Sequence, residues 1–143
     1  FRSIIYQYPK VTAFGTLFSQ LGALDLQYKL AYNHKFIMSY VNDVKQDEYL
    51  KNNSEQGVVI IYSNSGNYLN KYQLSSFDEK KKYDYKNKKV ILITANEMMV
   101  NHPDVDICLV YQHLSKLQTH SYIYPLINDL IVAEYRSFQN ANF

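Results

Sequence analysis

Val58-Val59-Ile60-Ile61-Tyr62-Ser63-Asn64-Ser65-Gly66-Asn67-Tyr68 is the stretch that decides how this chain is read. Its first half is a continuous apolar run rich in β-branched residues, the composition of a parallel strand covered by helices on both sheet faces. Its second half is a small, hydroxyl-rich turn. A buried strand running into such a turn is how α/β proteins build an anion cradle. Backbone N–H groups and Ser hydroxyls converge there, and a following helix aims its positive end at the same point. The strand stands deep in the chain rather than first, which narrows the folds to which the pattern applies.

Outward from that stretch, apolar runs and helical patterns alternate. Val11 to Gly15 reads as a first strand ending in glycine. Leu17, Leu21, Leu24, Tyr28 and Ala31 then recur at helical spacing, with Ser19 near the helix start and Asn33-His34 at its end. Phe36 to Tyr40 reads as a second strand, Asp47 to Asn52 as a short helix and Asn53 to Gln56 as a turn. Beyond the quoted stretch, Tyr68 to Ser75 reads as a helix, Val90 to Thr94 and Val105 to Val110 as strands, and Ile123 to Phe138 as the longest helix. Pro125 is expected in that helix's first turn, where a missing N–H costs least. Strands alternating with helices predict βαβ units and a mainly parallel sheet, whose ligands bind beyond the carboxyl ends of the strands where the winding reverses. Both candidate turns, Gly15 to Ser19 and Ser63 to Tyr68, follow strand carboxyl ends.

The bulk properties agree with a single α/β domain over residues 1–143. A chain of this size buries roughly 70% of its unfolded surface. One cysteine excludes a disulfide scaffold and points to a reducing compartment, hence to the cytoplasm. No apolar stretch approaches the roughly 20 residues needed to span a bilayer, and no secretory leader is visible. A formal charge of +2 does not advertise nucleic-acid binding. Lys80, Lys81, Lys82, Lys86, Lys88 and Lys89 read as a solvated loop between two elements. Abundant Tyr, Asn and Lys with no Trp read as the residue usage of an AT-rich genome rather than as an aromatic platform.

In this order the elements resemble a sugar isomerase (SIS) domain, in the form found as the C-terminal effector domain of RpiR-type transcriptional regulators. Ala13-Phe14-Gly15-Thr16-Leu17-Phe18-Ser19 and Ala23-Leu24-Asp25-Leu26-Gln27-Tyr28-Lys29-Leu30 are similar to the family's first strand, glycine loop and following helix. Ile61-Tyr62-Ser63-Asn64-Ser65-Gly66 is similar to its phosphate turn. Lys89 to Thr94 and Val105 to Leu109 are similar to its last two strands. The resemblance implies a three-layer αβα sandwich around a five-stranded parallel sheet of order 2-1-3-4-5, as in flavodoxin-like folds. It also implies a homodimer that binds a phosphorylated sugar, without cofactor or metal, and that reaches DNA only through an upstream helix-turn-helix domain absent from this chain.

Carried over by position, Ser63 and Ser65 would offer hydroxyls to the phosphate and Gly66 and Asn67 their backbone amides. Tyr68 would line or close the pocket, and Ser19 with Thr16 would hold the sugar from the first loop. Leu17, Phe18 and Gln20 stand where the family is richer in small residues, and Tyr68 stands where it carries Thr. Three functions follow: a phosphosugar-sensing regulator domain, an aldose–ketose phosphosugar isomerase, or a degenerate domain that serves only dimerisation.

Other chemistries fit less well. Ser63-Asn64-Ser65-Gly66-Asn67 lacks the outer glycines of a hydrolase elbow, and Ser63 and Ser65 also suit a plain helix N-cap. The same five residues are similar to a flavodoxin phosphate loop, but they follow the third strand rather than the first. Leu17 and Gln20 replace the second and third glycines of a dinucleotide fingerprint. Glu97, His113, His120 and Glu134 are the available acid/base types, and none sits in an enzyme motif, so no catalytic residue is assigned. Asp129 and Arg136 read as structural. His34, His102, His113 and His120 lack metal-ligand spacing, and Cys108 reads as an inert core residue of a central strand. The apolar breadth of the final helix has two readings: one side on the sheet and the other on a partner subunit, which the resemblance favours, or a helix buried under the chain termini.

Overall fold

The computed structural model describes residues 2–51, 56–74, 80–113 and 119–141. A short helix α1 (Arg2–Gln7) precedes β1 (Val11–Gly15), α2 (Phe18–Ala31), β2 (Met38–Ser39), α3 (Asp43–Lys51) and β3 (Gly57–Tyr62). A 3₁₀ turn (Asn67–Asn70), β4 (Lys88–Thr94), a second 3₁₀ turn (Glu97–Asn101), β5 (Ile107–Val110) and α4 (Thr119–Ala141) complete the order. Every strand pairing is parallel and the strand order is β2-β1-β3-β4-β5. The α/β architecture expected from the alternation of elements, and the strand order implied by the resemblance, are therefore the ones observed.

Strand alternation divides the core in two. Ala13, Ile60, Tyr62, Ile91 and Ile93 point to one face, where Ala23, Leu26 and Leu30 of α2 and Tyr124, Ile131 and Tyr135 of α4 cover them. Phe14, Val59, Ile61, Val90 and Leu92 point to the other, against Leu50, Tyr68, Leu69, Tyr83, Tyr85 and Met99. All six residues of β3 are buried, as an apolar strand covered on both sides requires. Gly15 is level with Tyr62, and Tyr62 with Ile93. The loops after β1, β3 and β4 thus leave the sheet at one height, and the winding reverses between β1 and β3.

Several expectations are corrected. Among the described residues no full helix follows β3: Asn67 and Asn70, weak helix formers, bracket a four-residue 3₁₀ turn. The chain then turns back on itself, with Tyr72 bridged antiparallel to Lys82 and the Gln73 amide on the Lys81 carbonyl at 2.7 Å. Tyr83 and Tyr85 fill the layer that a helix would have covered. Lys80, Lys81, Lys82 and Lys86 are exposed as expected, but Lys88 and Lys89 belong to β4, and Lys88 is buried. The second strand shrinks to Met38–Ser39, because an edge strand has only β1 to bond. Helix α3 starts at Asp43, ahead of its expected start.

Helix α1, which no sequence signal announced, buries Ile5 in the α2/α4 layer. Pro125 lies inside α4 rather than in its first turn. The bond it forfeits would have gone to the Ser121 carbonyl, near the helix start, so the loss is confined to the amino-terminal end. Cys108 lies on the edge strand β5, half-buried, with burial raising its thiol pKa. The expected turn after Asn52 and the expected helix end at Ser75 lie outside the described residues.

Candidate functional site

The quoted stretch ends in a bend fixed from several sides. Ser63 continues the ladder, its amide 3.0 Å from the Ile93 carbonyl. The Asn64 carbonyl accepts from the Ala95 amide at 3.0 Å and from the Thr94 hydroxyl at 3.1 Å. Asn96 Nδ2 donates to the Ser65 carbonyl at 3.0 Å, and the Tyr111 hydroxyl reaches Asn64 Oδ1 at 2.5 Å. Gly66 takes the left-handed conformation with φ 81°, and a Cβ there would lie 2.6 Å from Met99 Cγ, so glycine is required on two counts.

The two serine hydroxyls face their own backbone as acceptors. The Asn67 amide donates to Ser65 Oγ at 3.2 Å and the Tyr68 amide to Ser63 Oγ at 3.3 Å. The Gly66 amide donates to the Ser63 carbonyl at 3.1 Å. The amides expected to face a phosphate from Gly66 and Asn67 are therefore engaged within the bend. A hydroxyl that accepts from an amide keeps its own proton to donate. Ser65 is exposed, whereas Ser63 is buried to its rim. The Tyr68 ring points away from this edge into the opposite core layer, with its hydroxyl 2.5 Å from Gln46 Oε1. Burial, with the neighbouring phenols and carboxylates, drives its pKa far above the ordinary tyrosine value.

The first loop turns on Leu17, exposed and strained at φ 54°. No side chain caps α2. Behind the loop, buried glutamines close the end of β1. Gln20 Oε1 accepts from the Gly15 amide at 3.1 Å, and Gln46 Nε2 donates to the Gly15 carbonyl at 3.0 Å. Thr16 is exposed and lines a cleft of about 360 Å³ with Leu17, Gln20, Leu21 and Asp43, a wall that includes neither Ser63 nor Ser65. Ser19 is buried, its hydroxyl 3.4 Å from that of Tyr124, which lies 3.1 Å from the Tyr111 hydroxyl. A line of hydroxyls thus runs from α2 across Tyr124 of α4 to Tyr111 and Asn64. Sequence reading missed Asn64, Tyr111 and Tyr124. Only Asn64 carried a signal, its place between the two serines.

Lys29 joins α2 to α4, holding Asp25 at 2.9 Å, Asp129 at 2.7 Å and the Pro125 carbonyl at 3.0 Å. Burial alone would lower its pKa, but the two carboxylates outweigh that and raise it. Glu97 in the second 3₁₀ turn, His113 in the segment after β5 and Glu134 on α4 are all exposed, and the His120 side chain lies outside the described residues. Among the described residues no group of three or more His, Cys, Asp or Glu side chains could hold a metal ion. Nor is any helix among them long and apolar enough to cross a membrane.

No protein-family model and no curated protein matches the chain. Solved structures do. The sugar isomerase domain of an RpiR transcription factor from Sphaerobacter thermophilus aligns with a TM-score of 0.68 at 15% identity, covering 98% of this chain and 76% of that one. An E. coli CFT073 protein in complex with a phosphosugar aligns with a TM-score of 0.64 at 15% identity, over 96% of this chain and 77% of that one. A Bacteroides fragilis protein, provisionally described as a phosphosugar isomerase involved in capsule formation, aligns at 0.62 and 15% identity, over 92% and 70%. Likeness at such identities establishes the fold, which is that of sugar isomerase domains, and nothing finer.

Proposed function

We propose that this chain is a phosphosugar-sensing, dimer-forming effector domain of an RpiR-like transcriptional regulator. The carrying observation is the polarity of the serine bend. Ser63 Oγ and Ser65 Oγ each accept from a backbone amide at the carboxyl end of β3, beside the point where the winding reverses. Their hydroxyl protons are left to donate to an anion above the bend. Ser65 is the outer donor and Ser63 the inner one, with Gly66 and Asn67 holding the bend in shape. Gly15 is level with Tyr62, so the first loop leaves the sheet beside the bend; Thr16 of that loop and Ser19 at the start of α2 are its proposed contacts to the sugar, and Tyr68 contributes anchoring rather than a pocket wall.

Similarity to a protein in complex with a phosphosugar and to an RpiR sugar isomerase domain supports this choice of ligand class. A sugar phosphate that prefers one dimer geometry would shift the spacing of DNA-binding domains carried elsewhere in the protein, by no more than its differential affinity. A thermal-shift panel of sugar phosphates, the ligand of the E. coli complex included, tests the reading. A ligand at 100 times its dissociation constant adds about 2.7 kcal/mol, whereas no shift with any member contradicts sensing. Aldose-to-ketose conversion of any member would instead establish the isomerase reading.

The degenerate, assembly-only reading is favoured by one observation. The Ser19 hydroxyl, the proposed sugar contact, is buried and lies 3.4 Å from the chain's own Tyr124 hydroxyl.

A further inference from the structure

The hydroxyls that join the serine bend to α2 and α4 carry one proton each, and that fixes their direction. Tyr111 and Tyr124 are buried, which raises both phenols' pKa, so each keeps its proton at neutral pH. The Tyr111 hydroxyl donates at 2.5 Å to Asn64 Oδ1, a carbonyl oxygen that can only accept. Its proton is thereby committed, so towards the Tyr124 hydroxyl, 3.1 Å away, its oxygen can only accept. Tyr124 therefore donates to Tyr111. The Tyr124 oxygen is in turn left to accept from Ser19 Oγ, 3.4 Å away and the longest link of the three. Ring packing holds this order. Tyr124 meets the Tyr111 ring at 5.6 Å and 90° and the Tyr62 ring at 5.0 Å and 77°, and a Cβ on Gly22 would lie 2.8 Å from Tyr124 Cδ2. The Tyr111 amide is tied to the Thr94 carbonyl at 3.0 Å.

We infer, on the reading of the serine bend as the phosphosugar site, that Tyr111 and Tyr124 are positioning residues. They turn the Ser19 proton inward and leave the Ser19 lone pairs as a hydrogen-bond acceptor for a hydroxyl of the sugar. Ser63 and Ser65 have the opposite polarity, since their oxygens accept from backbone amides and their protons remain to donate. The site thus sets two donors on the β3 side against one acceptor on the α2 side. An ionised phosphate offers acceptors and suits the bend, whereas a sugar hydroxyl can donate to Ser19. Proton direction tells the two ends of the ligand apart, with phosphate at the bend and sugar at α2.

The direction is tested without ligand, by NMR of hydroxyl exchange in the chain labelled with ¹³C at tyrosine Cζ. The Tyr62 phenol, which donates to Asn128 Oδ1, is the internal reference. Tyr111→Phe removes the acceptor of the Tyr124 proton and is expected to speed its exchange about tenfold relative to that of Tyr62. Ser19→Ala is expected to leave it unchanged. The reverse order, equal effects of the two variants, or a Tyr124 proton that exchanges too fast to follow in the native chain would overturn the assignment. The Ser19 contact is tested by isothermal titration of the phosphosugar of the E. coli complex and of inorganic phosphate. Ser19→Ala is expected to weaken the sugar phosphate about two- to tenfold and to leave inorganic phosphate unchanged. Equal affinity of the native chain and the variant for the sugar phosphate would overturn Ser19 as its acceptor. A native chain that binds neither ligand contradicts the phosphosugar reading itself, and with it the sugar contact, while the exchange rates still decide the proton direction.

Discussion

The Tyr111 hydroxyl lies 2.5 Å from Asn64 Oδ1, so the residue that follows β5 holds the middle of the bend that follows β3. Burial keeps this phenol far above the ordinary tyrosine pKa, and it remains a donor at neutral pH. Tyr111→Phe leaves the Asn64 carbonyl group without its donor. Urea denaturation is expected to show a loss of about 1–2 kcal/mol, accompanied by faster amide exchange at residues 64–66.

Gly66→Ala combines a left-handed backbone with a Cβ placed against Met99. The expected destabilisation is about 1–3 kcal/mol. Met99→Ala in the same chain removes the collision but not the backbone strain. A double variant that regains part of the single variant's loss, measured by chemical denaturation, checks both contributions.

Asp47 anchors the layer that replaces the missing helix. It accepts from the Tyr83 hydroxyl and from the Leu74 amide, and it pairs with Lys51 at 3.2 Å. Burial alone would raise its pKa, but these partners outweigh it and lower the carboxyl below its ordinary value. The group therefore protects the fold fully above its unfolded pKa of about 3.9 and loses that protection as pH falls through the lower folded value. Asp47→Asn is expected to cost about 1–3 kcal/mol at neutral pH and to flatten the acid limb of a stability–pH curve.

Exposed apolar side chains line the outer surfaces of the α2/α4 layer. Phe18, Leu21, Tyr28 and Tyr32 follow one stripe of α2, and Tyr122, Leu126 and Leu130 follow one of α4, each more than half exposed. Apolar surface of this extent marks an interaction face, and a second copy is its proposed occupant. Light scattering coupled to size exclusion is expected to give a dimer mass for the native chain. Leu21→Asp/Leu126→Asp is expected to give a folded monomer, whereas a native chain that is monomeric at all concentrations removes the dimer.

The parallel α/β architecture was legible because each central strand is a continuous apolar run followed by a turn; the strand order came only through the family resemblance. What escaped the sequence has local physical causes. Tyr83 and Tyr85 sit among lysines and aspartate, so their role as a core layer is masked by polar neighbours, and periodicity had nothing to register. The β2 edge has one hydrogen-bonding neighbour, and Phe36 to Tyr40 could not sustain five paired residues on that support. Pro125 is expected in a first turn because the apolar pattern begins at Ile123, whereas the helix starts earlier, at Thr119. In the candidate site, the serines were visible as residue types. The direction of their hydrogen bonds, and the Tyr124–Tyr111 phenols that meet Ser19 and Asn64, come from long-range packing that no local pattern encodes.

The serine bend is tested most directly by isothermal titration of the phosphosugar found in the E. coli complex into the native chain and into Ser63→Ala/Ser65→Ala, with folding of both checked by circular dichroism. Saturable binding by the native chain and none by the folded double variant is the expected result. Binding of equal strength in both, or heat from neither, would contradict a phosphate held by these two hydroxyls.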